Sequence, residues 1–310
     1  MSKQNEKSRE YVIAKQLRER AQFYECVRKN NYTDLKLGKN GTYDWSQETY
    51  NIKKGSKPCP NDCKYCYIKA MNIRMKKEVD ELEDVDGIDD IEDGHNLKCE
   101  SVPQKVNKNW RTANEMTKKY IMMPSSHDIF DNNVKDICVV TNKMVNAGHD
   151  GLIVTKARMS CIRFMIDYFR NVVKNEEFIK QHVEFRITIG SYDNTDIRFW
   201  EGNAPLFEER FECVKLLHNQ GYNVSVSAEP LLTTDPMRLY NMMEPYISCI
   251  WFGEMNYVPI LIEMKTEEDK RFLAKLDVIK DNLKTYVEQL MKYDKVFWKK
   301  GIRKYLKDHA

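Results

Sequence analysis

From about residue 115 onward, short β-rich runs alternate with stretches of helical period, and that alternation confines the chain to βα units built around a parallel sheet. The candidate strands are 120–125 (YIMMPS), 151–157 (GLIVTKA), 184–191 (EFRITIGS), 223–229 (NVSVSAE) and 247–254 (ISCIWFGE). Several are apolar at odd and even positions alike, as a sheet covered by helices demands. Between them Ile162, Met165, Ile166, Phe169, Val172 and Val173 recur at helical spacing, as do Phe207, Phe211, Val214 and Leu217, so each set is expected to face the sheet. One more strand near 48–54 (ETYNIKK) brings the count to six βα units. Helices are expected at about 8–29 and about 266–292. In the second, Leu276, Ile279, Leu283, Tyr286 and Leu290 form one stripe that suits packing on the sheet better than joining a partner. No internal repeat is present.

Directly after the first strand comes CPNDCKYCYIKAM (59–71), which packs Cys59, Cys63 and Cys66 into eight residues. A structural zinc site needs four protein ligands, whereas a 4Fe-4S cluster can take three thiolates and leave one iron open to a small molecule. This segment offers three. The zinc alternative needs a fourth ligand from Cys99, Cys138, Cys26 or a histidine, and the paired knuckles that favour zinc are missing because no second close cysteine pair exists.

Composition bounds the class of protein. With 310 residues the chain can form one large α/β domain or two smaller ones. No apolar run reaches the roughly 18 to 20 residues of a membrane span, and the start, MSKQNEKSRE, lacks the apolar centre of a signal peptide, so a cytoplasmic protein with no membrane contact is expected. Nine cysteines, an odd number, read as thiols and ligands rather than disulfides. The net charge is only +3, but ten of the sixteen residues from Glu78 to Asp93 are acidic; without them 50 basic face 47 − 10 = 37 acidic residues, or +13. An EF-hand reading of that stretch fails, because with Gly87 at the sixth loop position Leu82 takes the first, where Asp is needed, and Asp93 the last, where Glu is needed. It reads instead as a mobile, solvated insertion. At the C-terminus FWKKGIRKYLK (297–307) interleaves Phe297, Trp298 and Tyr305 with basic residues. Such a tail can contact phosphates and stack bases, or form a solvated terminal helix or strand with its aromatics packed down.

The four-then-three spacing of the cysteines, with Tyr65 before the last and Tyr67 after it, resembles the cluster loop of radical S-adenosylmethionine (SAM) enzymes. Downstream, SSHDIF (125–130), VTK, FRITIGS, WEGNAPLFEERFE (200–212) and GYNVSVSAEPLL (221–232) resemble the group that includes spore photoproduct lyase, over roughly residues 50–255. MPSSHDIFDNNV, VSAEPLL and WFGEMN are more similar still to uncharacterised phage-type radical SAM proteins. The resemblance implies an α/β fold, an open (β/α)6 partial TIM barrel with N- and C-terminal helical extensions: extension 1–47, barrel 48–260 with an acidic insertion at 76–110, and a helical, basic extension 261–310. It implies a 4Fe-4S cluster on Cys59, Cys63 and Cys66, whose open iron chelates SAM, and reductive cleavage of SAM to methionine and a 5'-deoxyadenosyl radical. It further implies a lyase- or transferase-like enzyme, an electron donor such as flavodoxin or ferredoxin, and a nucleic acid or nucleotide as the substrate class. The alternative from the residues alone is a zinc-stabilised nucleic-acid-binding protein without catalysis; a SAM-binding sensor or partner module is a third.

Roles follow from what SAM needs. Lys156 matches a lysine that receives the SAM carboxylate in the lyase group, and a lysine ending an apolar parallel strand points into the site. Ser126, Asp128 and Thr188 are candidates for the ribose hydroxyls and amino group, and Tyr67 for the adenine or for packing. Glu201 and Arg210 are expected to form a structural ion pair. Glu229 and Glu254, ending strands five and six, suit substrate, SAM or a structural role. One departure bears on the reaction: Ser125 stands where the lyase has its hydrogen-donating cysteine, and a serine O–H is too strong to quench a carbon radical. Either Cys161, Cys249 or a tyrosine donates, or, as the residues favour, the chemistry is not photoproduct reversal.

Overall fold

The apolar runs form the strands they suggest, and all pair in parallel. In the computed structural model, which describes residues 8–32, 35, 37, 44–46, 48–53, 59–70, 99–255 and 266–309, the strands are β1 (Glu48–Thr49), β2 (Tyr120–Met123), β3 (Asp150–Thr155), β4 (Val183–Thr188), β5 (Asn223–Ala228), β6 (Cys249–Phe252) and β7 (Val296–Trp298). They lie side by side in chain order as a curled half-barrel of seven strands. Six strands were expected. The seventh comes from the basic tail, where Val296, Phe297 and Trp298 are buried and pair with Ile250, Trp251 and Phe252. Phe297 and Trp298 are thus packed into the sheet, while Tyr305 lies partly buried on the helix that follows. In that helix Ile302, Arg303 and Leu306 are also buried.

Helices flank the sheet: α1 (Arg9–Lys29), α2 (Val134–Asn146), α3 (Met159–Asp167), α4 (Glu176–His182), α5 (Asn194–Glu201), α6 (Phe207–Asn219), α7 (Pro236–Met243), α8 (Glu267–Asp281), α9 (Leu283–Leu290) and α10 (Lys300–Asp308). Ser8 caps α1 by accepting from the Tyr11 backbone N–H, and Thr266 with Asp269 forms a capping box on α8. The helix expected over 266–292 is two helices with Asn282 between them, yet its stripe from Leu276 to Leu290 is buried as expected. Beyond α3 the helix widens into a π-helical turn at Tyr168–Val172, which swings Val172 out to 65% exposure, away from the sheet its spacing had assigned it.

Period-two alternation splits the strands into two faces. Ile121, Ile153, Phe185, Ile187, Val226 and Phe252 belong to the large outer core beneath the helices. Tyr120, Met122, Leu152, Trp251 and Phe297 belong to a smaller inner cluster with Val12 of α1 and Trp45. The acidic stretch Glu78–Asp93 lies outside the described residues, as do the domain limits drawn at 47 and 260. Among the described residues no helix is long and apolar enough to cross a membrane.

Candidate functional site

Extending the inner parity past the C-terminal strand ends gives Lys156 after β3, Thr188 at the end of β4, Glu229 after β5 and Lys299 after β7. These residues line one cavity of about 580 Å³, a size typical of small-molecule sites. The cysteine loop lines it too. The structure brings together around this cavity the cluster and SAM candidates drawn from the sequence, namely Cys59, Cys63 and Cys66; Tyr67, Ser126, Asp128, Lys156 and Thr188; and Glu229 and Glu254, but not Cys161 or Cys249.

The cysteine loop is held by the last turn of α5 and the residues that follow it. Lys64 N–H donates to the Trp200 carbonyl (2.8 Å), and Asn203 donates from its backbone to the Asn61 carbonyl (3.1 Å) and from its amide to the Pro60 carbonyl (3.1 Å). Gly202 sits between at φ +47°, where an added Cβ would come within 2.9 Å of the Asn61 carbonyl oxygen. Only glycine fits that turn without strain. Arg158 Nη2 ties Asn61 Oδ1 and the Asn203 carbonyl together, each at 2.8 Å.

Behind the loop lies a buried charge cluster. Glu201 and Arg210, both 0% exposed, form the expected ion pair, and Arg210 also donates to the Pro205 and Thr188 carbonyls at 2.7 and 2.9 Å. Tyr65 donates its hydroxyl to Glu201, and Lys156 Nζ stands 3.9 Å from the same carboxylate oxygen. Two cations thus meet one carboxylate beside Cys63, and Asp128 supplies a second carboxylate to Lys156. Burial disfavours the charge on Lys156, but Cys63, Glu201 and Asp128 together outweigh it and hold its pKa above the usual lysine value. Burial also opposes the charge on Glu201, and Arg210 and Lys156 keep it below the usual carboxylate range. The thiols show the opposite balance: burial pushes Cys63 up to about 11 and Cys59 up to about 12.

Asp128 is the hub of the β2 side. Its oxygens accept from Asn61 Nδ2 (2.6 Å), Thr155 Oγ1 (2.5 Å), its neighbour Ile129 N–H (2.8 Å) and Lys156 N–H (3.2 Å). Both oxygens are therefore engaged in fixing the loop and the end of β3. Asn51 clamps the adjacent turn, accepting from the Ser125 and Ser126 backbone N–H groups and donating to Ser125 Oγ. Tyr67 donates to the Ser125 carbonyl at 2.8 Å. Ser126 Oγ lies 3.3 Å from His127 Nδ1, whose Nε2 is buried with no hydrogen-bond partner among the described residues.

The opposite wall is acidic with one embedded lysine. Lys299 Nζ is 3.5 Å from Glu229 and 3.6 Å from Asp44, and lies 4.1 Å from the centre of the Trp45 ring. Burial raises the pKa of Glu229, against the pull of Lys299, and that of Glu254, against the pull of Lys280.

The donor set suits a three-thiolate group. No fourth cysteine lines the cavity: Cys161 packs against Ile129 and Asp131 outside the sheet, and Cys249 stands at the opposite end of β6 near Arg186. Among the described residues no three His, Cys, Asp or Glu side chains converge closely enough to hold a single metal ion. Three cysteines are the number that a 4Fe-4S cluster takes when one iron is left open to a small molecule, so Cys59, Cys63 and Cys66 are the residues of this cavity that could hold one. The site also contains residues that sequence reasoning missed: Asn61, Trp45, His127 and Lys299. Lys299 carried a signal, since it continues the inner parity of β7; the others carried none.

The sequence family described as "Protein of unknown function (DUF5131)" matches residues 40–241, about two-thirds of the chain and the whole of the stretch from the cysteine loop through β5. The chain belongs to that family. The DUF5131 match thus takes in the three cysteines, Lys156 and Glu201 together. No curated protein matches the sequence. Two crystal structures of Streptococcus suis SuiB are similar to it. The one bound to S-adenosylmethionine shows 12% identity and a TM-score of 0.38, over 59% of this chain and 39% of that one. The other shows 11% identity and a TM-score of 0.42, over 81% and 48%. The chain spans less than half the length of the SuiB chains it matches.

Proposed function

We propose that the chain is a radical SAM enzyme, with Cys59, Cys63 and Cys66 holding a 4Fe-4S cluster and SAM seated beside it. One juxtaposition supports this reading: three thiols with no fourth on the wall, and the Lys156 ammonium, at the C-terminal mouth of a parallel half-barrel. Together the bound groups supply one-electron cleavage of SAM to methionine and a 5'-deoxyadenosyl radical, which abstracts hydrogen from a substrate.

The chain's own residues bind, orient and shield. Lys156 donates to the SAM carboxylate; Glu201, itself held by Arg210, fixes its position, and Cys63, Glu201 and Asp128 keep it charged. At Cys63, Lys156 and Arg210 pull toward thiolate against the burial that raises its pKa. Ser126 and Thr188 offer hydroxyls to the amino group and ribose, with Tyr67 flanking the adenine. Asp128 positions these groups by tying Asn61 to Thr155. The apolar parts of Met122, Val154 and Ile68 keep the cavity dry. An electron donor of flavodoxin or ferredoxin type and a nucleic acid or nucleotide substrate complete the reading, in a cytoplasmic setting. The reaction is of lyase or transferase type and is read as other than photoproduct reversal: Ser125 is on the cavity wall, Cys161 and Cys249 are not, and Tyr65 and Tyr67 are the hydrogen donors left beside it.

The test is anaerobic: reconstitute with iron and sulfide, reduce with dithionite, and quantify 5'-deoxyadenosine from SAM. Formation of 5'-deoxyadenosine without repair of spore photoproduct in DNA is expected. A protein with a full cluster that yields no 5'-deoxyadenosine refutes the enzyme reading, and efficient photoproduct repair refutes the assignment at Ser125.

A further inference from the structure

The side-chain amide of Asn61 joins three separate stretches of the chain. Asn61 follows Cys59 by two residues and is 1% exposed, so water cannot take over its hydrogen bonds. Its Oδ1 accepts from Arg158 Nη2 at 2.8 Å, and its Nδ2 donates to Asp128 Oδ2 at 2.6 Å. The same Asp128 carboxylate accepts from the Lys156 N–H and from Thr155 Oγ1. A guanidinium only donates and an ionised carboxylate only accepts, so the two partners dictate which end of the amide faces which. An acid at position 61 lacks the donor, and an apolar isostere lacks both groups. Arg158 is itself fixed by the Asn203 carbonyl and by the Phe130 ring, whose centre lies 5.0 Å from the guanidinium carbon. On the loop side, the backbone N–H groups of Asn61 and Asp128 draw the Cys59 thiol toward thiolate, against burial and the Asp128 charge. The loop then turns through Asp62 at φ +54°, a conformation uncommon outside glycine.

We propose that Asn61 is a positioning residue whose amide keeps Cys59 in register with Lys156. The proposal deepens the radical SAM reading and rests on it. Under that reading Cys59 holds one corner of the cluster and Lys156 receives the SAM carboxylate, so a single ligand anchored at both points needs them at a fixed separation. Asn61 acts on that separation through Asp128, which binds the loop with one oxygen and the end of β3 with both. Groups that orient ligands in this way typically contribute about ten- to hundred-fold in affinity.

Exchanging the acid and the amide tests the joint. At pH 8 Asn61→Asp sets a second carboxylate against Asp128, and Asp128→Asn costs one contact whichever way the Asn61 amide turns. The double variant, Asn61→Asp with Asp128→Asn, again pairs one donor with one acceptor and leaves Arg158 its acceptor. Urea denaturation of the four apoproteins reads this cycle with no cofactor loaded: each single variant should lower the midpoint, and the double variant should recover most of the loss. SAM titration of the iron-loaded proteins, followed by EPR, reads the positioning role. Iron and sulfide content should stay at the wild-type level, while Asn61→Asp should bind SAM about ten- to hundred-fold more weakly and the double variant should regain affinity. A merely structural role would move the urea midpoint and not the SAM affinity. The proposal is overturned by a double variant that recovers nothing, by wild-type SAM affinity in a folded, iron-loaded Asn61→Asp, or by an Asn61→Asp protein that folds but takes up no iron. Wild-type protein that binds no cluster or no SAM refutes the radical SAM reading itself, and a recovered urea cycle in that case makes Asn61 a lock of the fold alone.

Discussion

Lys156 and Glu201 stand 3.9 Å apart at the back of the cavity, and the lysine that the sequence offers to SAM already has a buried counterion. Glu201 is shared with Arg210 and Tyr65, so it balances one cation and orients a second. Removing either member of the pair therefore has different effects.

Loss of Glu201 leaves Arg210 buried without its counterion and Lys156 with Asp128 alone. Glu201→Gln should destabilise the apoprotein by about 3 to 5 kcal/mol, the usual cost of breaking a buried pair. Urea denaturation of wild type and variant measures it. A change below about 1 kcal/mol would show that the cluster is solvated.

Loss of Lys156 leaves Glu201 and Arg210 balanced. Lys156→Ala should keep the fold and the cluster but weaken SAM binding about ten- to hundred-fold, the contribution of one charge-assisted hydrogen bond. SAM titration followed by the EPR signal of the reduced, iron-loaded protein is the measurement. Unchanged affinity would restrict Lys156 to a structural role.

Single replacement of Cys59, Cys63 or Cys66 by alanine should abolish iron and sulfide loading, whereas Cys26, Cys99, Cys138, Cys161, Cys213 and Cys249 should be dispensable for it. Iron and sulfide analysis after anaerobic reconstitution decides. Full loading of Cys63→Ala contradicts the assignment.

His127 gives a pH signature. Burial, helped by Lys53 and Lys105 and opposed by Asp128, lowers its pKa from 6.5 to about 4. The folded state thus holds fewer protons than the unfolded state between those values. Stability should be complete above about pH 6.5 and fall as the pH drops toward 4, by roughly 3 kcal/mol at about 1.36 kcal/mol per unit. Below that it should level off. Denaturation curves for wild type and His127→Gln at pH 7 and pH 4.5 isolate the effect, since the variant should lack this slope.

The barrel was legible because its strands carry apolar residues on both faces, a pattern few other structures require. Strand β7 was not, since three apolar residues followed by Lys299 and Lys300 read as part of a basic tail; only pairing with β6 makes them a strand. In the site, the rule that parallel strands end in chemistry led from Ile153 and Val154 to Lys156, and from Val226 to Glu229. It could not lead to Trp45, which arrives from a loop before β1, nor to Asn61, because amide side chains follow no period and their partners, Asp128 and Arg158, are fixed only by folding. The break at Asn282 left no trace in the apolar stripe, which runs through it unshifted.

The hydrogen bonds from Asn203 to Pro60 and Asn61 join stretches 143 residues apart in the chain. Together with the close seat of Gly202, they make the cysteine loop and the 200–203 turn a single heritable unit. Descent must alter them in concert, because a substitution that reshapes one leaves the other without its backbone partners. Among relatives the two stretches should co-vary as a pair. A chimera that exchanges 59–66 alone should fail to seat its loop, and one that exchanges both stretches should succeed.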